Sequence, residues 1–400
     1  MRKNLYISIF VLLASVLALS ACGQATTAAP QTQIQTQLVP VTVTPGPAGA
    51  ATATPLPVGS VQITGAGATF PLPVYSQWTY AYQYVDPSVV LNYNGVGSGA
   101  GKTAILANTV DFAGSDSLLS TDQYTQGKDL QMYPMLAGAV VPVYNIAFLP
   151  TPTAVAGATA VPLPKLILDR QTLVDIYDGK VTKWNDPKIV LLNPSLVNYL
   201  PDAVITTVHR SDGSGTTEIF TKALTSFSTD WTAGGAQSVQ WPGNGLGGKG
   251  NAGVAAAVLN TPNSIGYVEL AYAISNSMSF AQIVNKAGKT VTANGASVEA
   301  AMAEFATAFT PQLTAVIVDG ASDGAWPITG YTYIILHTTS MPDCVKAQKL
   351  LQFLTWAQTD SGAQSAATKL GYSVLPDVVR TNVLGKLAAV TCNGQPVLHP

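Results

Sequence analysis

The sequence predicts an α/β protein with mainly parallel sheets. Short runs rich in β-branched and aromatic residues alternate with stretches of helical periodicity from residue 61 onward, and this alternation is typical of parallel sheets joined through helices. At three places a β-like run ends in a glycine-rich turn that leads directly into a helix-like run. About 340 residues follow an N-terminal segment of different composition, which is enough for two domains.

The predicted elements follow one another in order along the chain. Strands are expected over residues 61–63, 89–93, 110–115, 132–148, 203–209, 264–269 and 328–336. Helices are expected over residues 70–85, 98–109, 173–177, 216–227 and 344–356. The first helix opens at Pro71 and Pro73, and proline suits a first turn because the N–H groups of that turn have no intrahelical acceptor.

Apolar spacing predicts which faces of two helices are buried. In the helix over 216–227, one face carries Ile219, Phe220, Ala223, Leu224 and Phe227. In the helix over 344–356, Val345, Leu351 and Leu354 are expected to point inward. Both faces would add to the hydrophobic core.

The N-terminus predicts an export signal with a lipid anchor. Arg2 and Lys3 precede an almost wholly apolar stretch over residues 5–19, and Leu19-Ser20-Ala21-Cys22 follows. The pattern resembles a bacterial lipoprotein signal, so residues 1–21 are expected to be a signal peptide and Cys22 to carry a lipid that holds the protein at the cell membrane. An ordinary signal peptide with an incidental cysteine is the alternative.

Residues 22–59 predict a disordered tether. They are rich in Ala, Thr, Pro and Gln and include no charged residue, so they cannot bury enough apolar surface to fold. No later stretch of the sequence is long and apolar enough to span a membrane.

Charge is sparse in this chain and slightly acidic. Charged residues make up 10 % of the sequence. Removal of Arg2 and Lys3 with the signal leaves 17 basic residues against 21 acidic ones, a net charge of 17 − 21 = −4. No basic patch suggests a nucleic-acid partner.

Cysteine and histidine usage points to a disulfide and to no metal site. Outside the cytoplasm an even pair such as Cys344 and Cys392 is more often bonded than free. The three histidines, at positions 209, 337 and 400, are far apart. No His, Cys and carboxylate cluster has metal-ligand spacing, so neither a metal nor a cofactor is expected.

Three known functional motifs are matched only in part by this sequence. Residues 98–103 look like a phosphate-binding P-loop, but Val96 stands where that motif requires glycine. Residues 245–250 match the dinucleotide pattern by letter but follow no predicted strand. Ser98 and Ser214 each lack the first glycine of a nucleophile elbow. An exported phosphatase or esterase that uses one of these serines is kept as an alternative.

The three glycine-rich turns, at residues 65–70, 95–101 and 209–217, predict an anion pocket. A helix N-terminus presents unpaired N–H groups and a partial positive charge, and glycine allows a ligand to approach the backbone. The third turn also supplies Arg210, a cation suited to phosphate-like groups.

The chain resembles the PstS-type phosphate-binding proteins, the extracytoplasmic receptors of phosphate ABC transporters. The resemblance spans about residues 61–380 and rests on motifs in family order, among them TGAGATFP (64–71), YNGVGSG (93–99), DFAGSD (111–116), IYDGK (176–180), RSDGSGT (210–216), IGYVE (265–269) and AWPIT (325–329). It implies a periplasmic-binding-protein-like fold of type II, in which two α/β domains enclose a ligand cleft and two crossing segments join them.

The resemblance also implies domain limits. The crossings would lie near residues 138–144 and 323–329. Domain I would consist of residues 60–140 and 328–400, and domain II of residues 141–327.

Carried over position by position, the resemblance implies that the phosphate contacts are Thr69, Phe70, Ser98, Asp116, Arg210, Ser214, Gly215 and Thr216. Phe70 would contribute its backbone N–H, and Asp212 would pair with Arg210. Simpler alternatives exist, because Thr69, Ser98 and Ser214 suit helix caps, Arg210 with Asp212 suits a surface ion pair, and Asp116 suits a loop cap.

The implied role is binding of inorganic phosphate and its delivery to permease subunits, by a monomer with no catalytic activity. A phosphate scavenger or sensor without a transporter is an alternative, and so is a receptor for another oxyanion. Asp116 argues against the latter, because its carboxylate can accept a hydrogen bond from a protonated phosphate oxygen but meets only lone pairs on sulfate.

Overall fold

The computed structural model describes residues 60–149, 163–243 and 245–398. The predicted signal peptide over 1–21, Cys22 and the predicted tether over 22–59 lie outside the described residues. Within the described ranges, no helix combines the length and the apolar character needed to cross a membrane.

Every predicted helix is present with its ends shifted by a few residues, and further helices accompany them. The helices are α1 Leu72–Tyr82, α2 Ser98–Leu106, α3 Thr121–Gly127, α4 Arg170–Tyr177, α5 Pro187–Leu192, α6 Gly215–Phe227, α7 Gly250–Asn260, α8 Leu270–Ser275, α9 Gly295–Glu304, α10 Cys344–Thr359, α11 Ser361–Lys369 and α12 Asp377–Ala388. A 3₁₀ helix follows α5 at Pro194–Leu196.

The predicted strands are also present, together with several short ones. The strands are β1 Val61–Gly67, β2 Val89–Gly95, β3 Phe112–Ser115, β4 Leu130–Asn145, β5 Ile167–Asp169, β6 Thr206–Arg210, β7 Leu246–Gly248, β8 Ser264–Glu269, β9 Ser279–Phe280, β10 Gln282–Val284, β11 Thr290–Val291, β12 Thr329–His337, β13 Ser373–Val374, β14 Thr391–Cys392 and β15 Gln395–Pro396.

One mixed sheet contains most of these strands, and two small sheets, β11-β10-β5 and β14-β15, contain the others. The order in the mixed sheet is β2-β1-β3-β12-β4-β8-β6-β7, with β13 and β9 beside β4. β1 runs parallel to β2 and β3, and β6 runs parallel to β7 and β8. β12 and β4 are antiparallel to their neighbours along this path. The prediction of mainly parallel sheets is therefore wrong at the centre of this sheet. No single crossover helix joins β12 or β4 to the strands beside it, and the alternation of strands and helices along the chain does not indicate the direction of such strands.

The long strand β4 belongs to both halves of this sheet. Leu130 to Ala139 pair with β12, and Val140 to Asn145 pair with β8. A second segment, which includes Trp326 and Ile328, contacts β4 at Val140, where the strand paired with β4 changes from β12 to β8. The Val140 N–H donates to the carbonyl oxygen of Ile328 at 2.9 Å, and the Trp326 indole N–H donates to the carbonyl oxygen of Val140 at 2.9 Å.

The buried faces agree with the predicted helical spacing except at one residue. The predicted apolar face of α6 is buried throughout. In α10, Leu351 and Leu354 are buried, but Val345 is 54 % exposed. The prediction for Val345 is wrong because Val345 lies six positions before Leu351, which places the two side chains about 120° apart around the helix. Cys344 at the start of α10 is bonded to Cys392 in β14, with Cα atoms 5.5 Å apart.

Candidate anion-binding site

The three predicted glycine-rich turns meet, and the start of α7 joins them. The Gly215 N–H at the start of α6 donates to Ser98 Oγ at the start of α2, at 3.1 Å. The Asn251 N–H at the start of α7 donates to Thr69 Oγ1, just before α1, at 3.1 Å. First-turn N–H groups have no intrahelical acceptor. Neighbouring helix ends therefore bring N–H groups and partial positive charge close together.

Thr69 and Phe70 form the turn that precedes α1. Thr69 is buried, and its Oγ1 accepts hydrogen bonds from the backbone N–H and the side-chain amide of Asn251. The Phe70 ring is buried in the core, 6.1 Å from the Tyr372 ring between centroids. Because the ring packs inward, Phe70 can offer a ligand only its backbone.

Ser98 joins Asp116 to the start of α6. Its Oγ accepts from the Asp116 N–H at 3.2 Å and from the Gly215 N–H at 3.1 Å. Glycine is required at position 215, because an added Cβ would lie 2.5 Å from the Asp116 Cβ and 2.6 Å from the Ser117 nitrogen. The α6 terminus thus packs directly on the segment that carries the acid.

Asp116 is a buried carboxyl at the end of β3. Its Oδ1 accepts from Thr332 Oγ1 at 2.7 Å, and its Oδ2 lies 3.4 Å from Ser98 Oγ. Burial raises the pKa of Asp116 to about 7, although the Thr332 hydrogen bond, the Arg210 charge and the Ser98 hydrogen bond all act to lower it. Oδ2 therefore remains an acceptor with only one long contact.

Arg210 and Asp212 form a buried two-point ion pair. Arg210 Nε donates to Asp212 Oδ1 at 2.8 Å, and Nη2 donates to Oδ2 at 2.6 Å. The Arg210 side chain is 1 % exposed, so a surface ion pair is excluded. Burial tends to raise the pKa of Asp212, but the hydrogen bond and charge of Arg210 and the Gly250 N–H together lower it below its ordinary value. The carboxylate fixes the guanidinium plane and leaves Nη1 near Thr216 Oγ1 at 3.4 Å.

Ser214 and Thr216 have different roles at the start of α6. Ser214 Oγ accepts from the Thr217 N–H at 3.1 Å, so Ser214 caps the helix. The buried Thr216 hydroxyl accepts from Asn251 Nδ2 at 3.1 Å and from Arg210. Capping does not exclude binding by Ser214, because a hydroxyl oxygen has two lone pairs and one proton.

Sequence reasoning missed Asn251 and Thr332. Asn251 is fully buried, and its amide nitrogen donates to both Thr69 and Thr216. The Gly248-Lys249-Gly250 turn before it was a usable signal, because it separates β7 from α7 as the other turns separate their elements. Thr332 lies 216 residues from Asp116 in the chain, and nothing local in the sequence links the two.

The site also has a second cation nearby. Lys102 is 4 % exposed, and its Nζ donates to the carbonyl oxygen of Leu118 at 3.1 Å. Burial lowers the pKa of Lys102, against the charges of Glu218 and Asp116, which raise it. Arg210 is therefore not the only buried cation in this region.

Neither candidate serine has a catalytic histidine in the described part of the chain. The His209 ring stacks on Trp241 with centroids 5.0 Å apart, and its Nδ1 contacts the carbonyl oxygen of Arg210. Ser98 and Ser214 instead hydrogen-bond to backbone groups and to Asp116. Residues 60–149, 163–243 and 245–398 contain no group of three or more His, Cys, Asp or Glu placed to hold a metal ion.

A sheet shared by two α/β halves, with helix N-termini gathered around one buried arginine, defines the periplasmic-binding-protein class. The family profile described as the PBP superfamily domain matches residues 26–361. A solved structure of a high-affinity periplasmic phosphate-binding protein with bound phosphate, PfluDING, has a TM-score of 0.63 at 23 % identity, covering 81 % of this chain and 93 % of that one. At this identity the likeness concerns the fold.

Sequence relatives identify the family within that class. The phosphate-binding protein PstS of Pasteurella multocida is 41 % identical over 320 residues, which is 79 % of this chain and 87 % of the relative. The phosphate-binding protein PstS of Haemophilus influenzae is 40 % identical over 323 residues, 80 % of this chain and 90 % of the relative. The chain belongs to the PstS family of phosphate-binding proteins.

Proposed function

We propose that this protein binds inorganic phosphate outside the cytoplasm and delivers it to the permease of a phosphate ABC transporter. The observation that carries the proposal is Asp116, a buried acid among the donors of helix N-termini and Arg210. A pocket for a fully ionised anion gains nothing from an ionised carboxylate, which can only accept a hydrogen bond. A pocket for an anion that keeps a proton gains an acceptor.

The phosphate ligands are proposed to be the hydroxyls of Thr69, Ser98, Ser214 and Thr216, the backbone N–H groups of Phe70 and Gly215, the guanidinium of Arg210 and the carboxyl of Asp116. The Gly215 N–H, which donates to Ser98 Oγ at 3.1 Å, would turn to the ligand on binding. Their proximity supports this set, because hydrogen bonds already join Thr69 to Asn251, Asn251 to Thr216 and Ser98 to both Asp116 and Gly215. Asp212 orients Arg210 without contacting the ligand.

The domain arrangement is proposed as residues 60–140 with 328–400 and residues 141–327. The change of partner along β4 at Ala139 and Val140 supports a boundary there. The contacts of Trp326 and Ile328 with Val140 support a second crossing at the same level. The cleft between the domains would then contain the site.

The protein is further proposed to be a monomeric receptor anchored by a lipid on Cys22, without catalytic activity. Mass spectrometry of membrane-extracted protein should find a diacylglyceryl-modified Cys22, and an unmodified N-terminus in the soluble fraction would contradict the anchor. No turnover of a chromogenic phosphate ester is expected.

Calorimetry on residues 60–400 with phosphate, sulfate and arsenate tests the binding function. Phosphate and arsenate both keep protons near neutral pH and should bind, whereas sulfate should bind orders of magnitude more weakly. Equal affinity for sulfate and phosphate, or no heat of binding with phosphate, would refute the proposal.

A further inference from the structure

Glu269 is a second buried acid near the site, and its partners in the described part of the chain are neutral. It is fully buried at the end of β8. Its Oε2 accepts from the Ala271 N–H at 2.8 Å and lies 2.9 Å from the Tyr372 hydroxyl, and its Oε1 has no hydrogen-bond partner among the described residues. An ionised carboxylate in such a place is strongly disfavoured. Burial raises the pKa of Glu269 well above its ordinary range.

Counting donors gives the same protonation state from geometry alone. The Tyr372 hydroxyl lies 2.7 Å from the carbonyl oxygen of Phe70 and 2.9 Å from Glu269 Oε2. One hydroxyl has one proton. The Phe70 carbonyl can only accept, so the Tyr372 proton goes to it. The short contact with Glu269 then requires a proton on Glu269 that is donated to Tyr372.

Three connections lead from Glu269 to the turn formed by Thr69 and Phe70. The first is the Tyr372 hydroxyl, which holds the Phe70 carbonyl oxygen. The second is α8, which Glu269 caps and which carries Tyr272, whose hydroxyl donates to the Thr69 carbonyl oxygen at 2.6 Å.

The third connection is Asn251. Its Oδ1 accepts from the Glu269 N–H at 2.9 Å. Its amide nitrogen then donates to the Thr69 and Thr216 hydroxyls. Glu269 is therefore connected to the turn through the carbonyl oxygens of Thr69 and Phe70 and through the Asn251 side chain.

We propose that protonated Glu269 is a positioning residue, whose side chain holds the turn of Thr69 and Phe70 in place through Tyr372 and α8 while its backbone N–H holds Asn251. This inference rests on the proposed phosphate-binding function. The titratable and charged groups whose fields reach Glu269 are Asp116, Tyr372 and Tyr272. Asp116 adds a negative field that further opposes a charge on Glu269.

The test compares Tyr372→Phe, Glu269→Gln and a matched control, Tyr133→Phe. Tyr133 is equally buried, but its hydroxyl has no partner among the described residues. For each variant, calorimetry gives the phosphate Kd, stopped-flow tryptophan fluorescence gives the phosphate dissociation rate, and circular dichroism without ligand gives the melting temperature.

Tyr372→Phe should raise the phosphate Kd about five- to tenfold, mainly through faster dissociation, because it frees the Phe70 carbonyl. Tyr133→Phe should bind as the parent does. Glu269→Gln should stay within about threefold of the parent Kd, because its amide nitrogen can donate to Tyr372 without a charge and only the contact with the Ala271 N–H is lost.

Two results would overturn the positioning role. One is parental binding and dissociation by Tyr372→Phe, whatever its melting temperature. The other is markedly tighter phosphate binding by Glu269→Gln, because removal of an ionised carboxylate beside an anion site would strengthen binding. Absence of phosphate binding by the parent protein would instead overturn the proposed function and this inference with it.

Discussion

Replacing Asp116 with asparagine should sharply reduce the preference for phosphate over sulfate while leaving the fold intact. Asparagine has nearly the same shape, so no cavity forms. Its amide oxygen can keep the hydrogen bond that Asp116 Oδ1 accepts from Thr332 at 2.7 Å. The amide nitrogen then replaces Oδ2, and the pocket presents a donor where the parent presents an acceptor.

The size of the effect follows from the bond that is exchanged. A hydrogen bond to a charged group contributes about 1.5–3 kcal/mol, and each 1.4 kcal/mol is about tenfold in affinity. The phosphate Kd should therefore rise about 10- to 150-fold with Asp116→Asn. Sulfate gains a donor of similar strength. The ratio of the phosphate affinity to the sulfate affinity is about 10⁴–10⁵ for a matched buried acceptor. This affinity ratio should fall by a factor of about 10²–10⁴.

Calorimetry with each anion at fixed ionic strength and about pH 8 measures both constants. At that pH the parent Asp116 is mostly ionised, because its pKa is about 7. Asp122→Asn is the matched control, since Asp122 is an exposed acid in the first turn of α3. An unchanged phosphate-to-sulfate ratio in Asp116→Asn would refute the view that this carboxyl detects the proton on the ligand.

Three further predictions concern charge, pH and the disulfide. Arg210→Ala should raise the phosphate Kd about 10²- to 10³-fold, because it removes the proposed cationic ligand and leaves the half-buried Asp212 carboxylate without its partner, whereas Arg380→Ala, which breaks an ion pair with the exposed Asp377, should bind like the parent in the same titration. Sulfate should compete better as pH falls below about 7, because Asp116 with its raised pKa then takes up a proton that it can donate; a sulfate Kd that is constant from about pH 5.5 to 8.5 would contradict this. Cys392→Ala should lower the free energy of unfolding by about 3–4 kcal/mol, as expected for a cross-link across 48 positions, with the phosphate Kd unchanged; chemical denaturation measures the first quantity, and an unaltered unfolding midpoint would disprove the stabilising role.

Local sequence signals account for most of what could be predicted. A glycine-rich turn between a β-like and a helix-like run depends only on neighbouring residues, so the starts of α2 and α6 were predicted to within one residue. Arg210 and Asp212 are two positions apart, and their pairing needs no knowledge of the fold. The buried face of α6 follows from helical periodicity alone.

Contacts between distant segments account for most of what was missed. Thr332 reaches Asp116 only because β12 lies beside β3, and Tyr372 reaches Glu269 across 103 positions of the chain. The helix α8 is only six residues long, and α11 has no large apolar residue, so neither shows a periodic apolar face. Sequence spacing cannot report a residue that a separate strand brings to the site.

The pairing of Arg210 with Asp212 has a consequence for how an anion approaches from solution. A cation fully matched by its own carboxylate produces a field that fades quickly with distance, and the chain has a net charge of −2, or −4 without Arg2 and Lys3. Anions are therefore not drawn in from afar, and added salt has little attraction to screen. The association rate should be nearly independent of ionic strength, so that capture works alike in dilute and in saline surroundings.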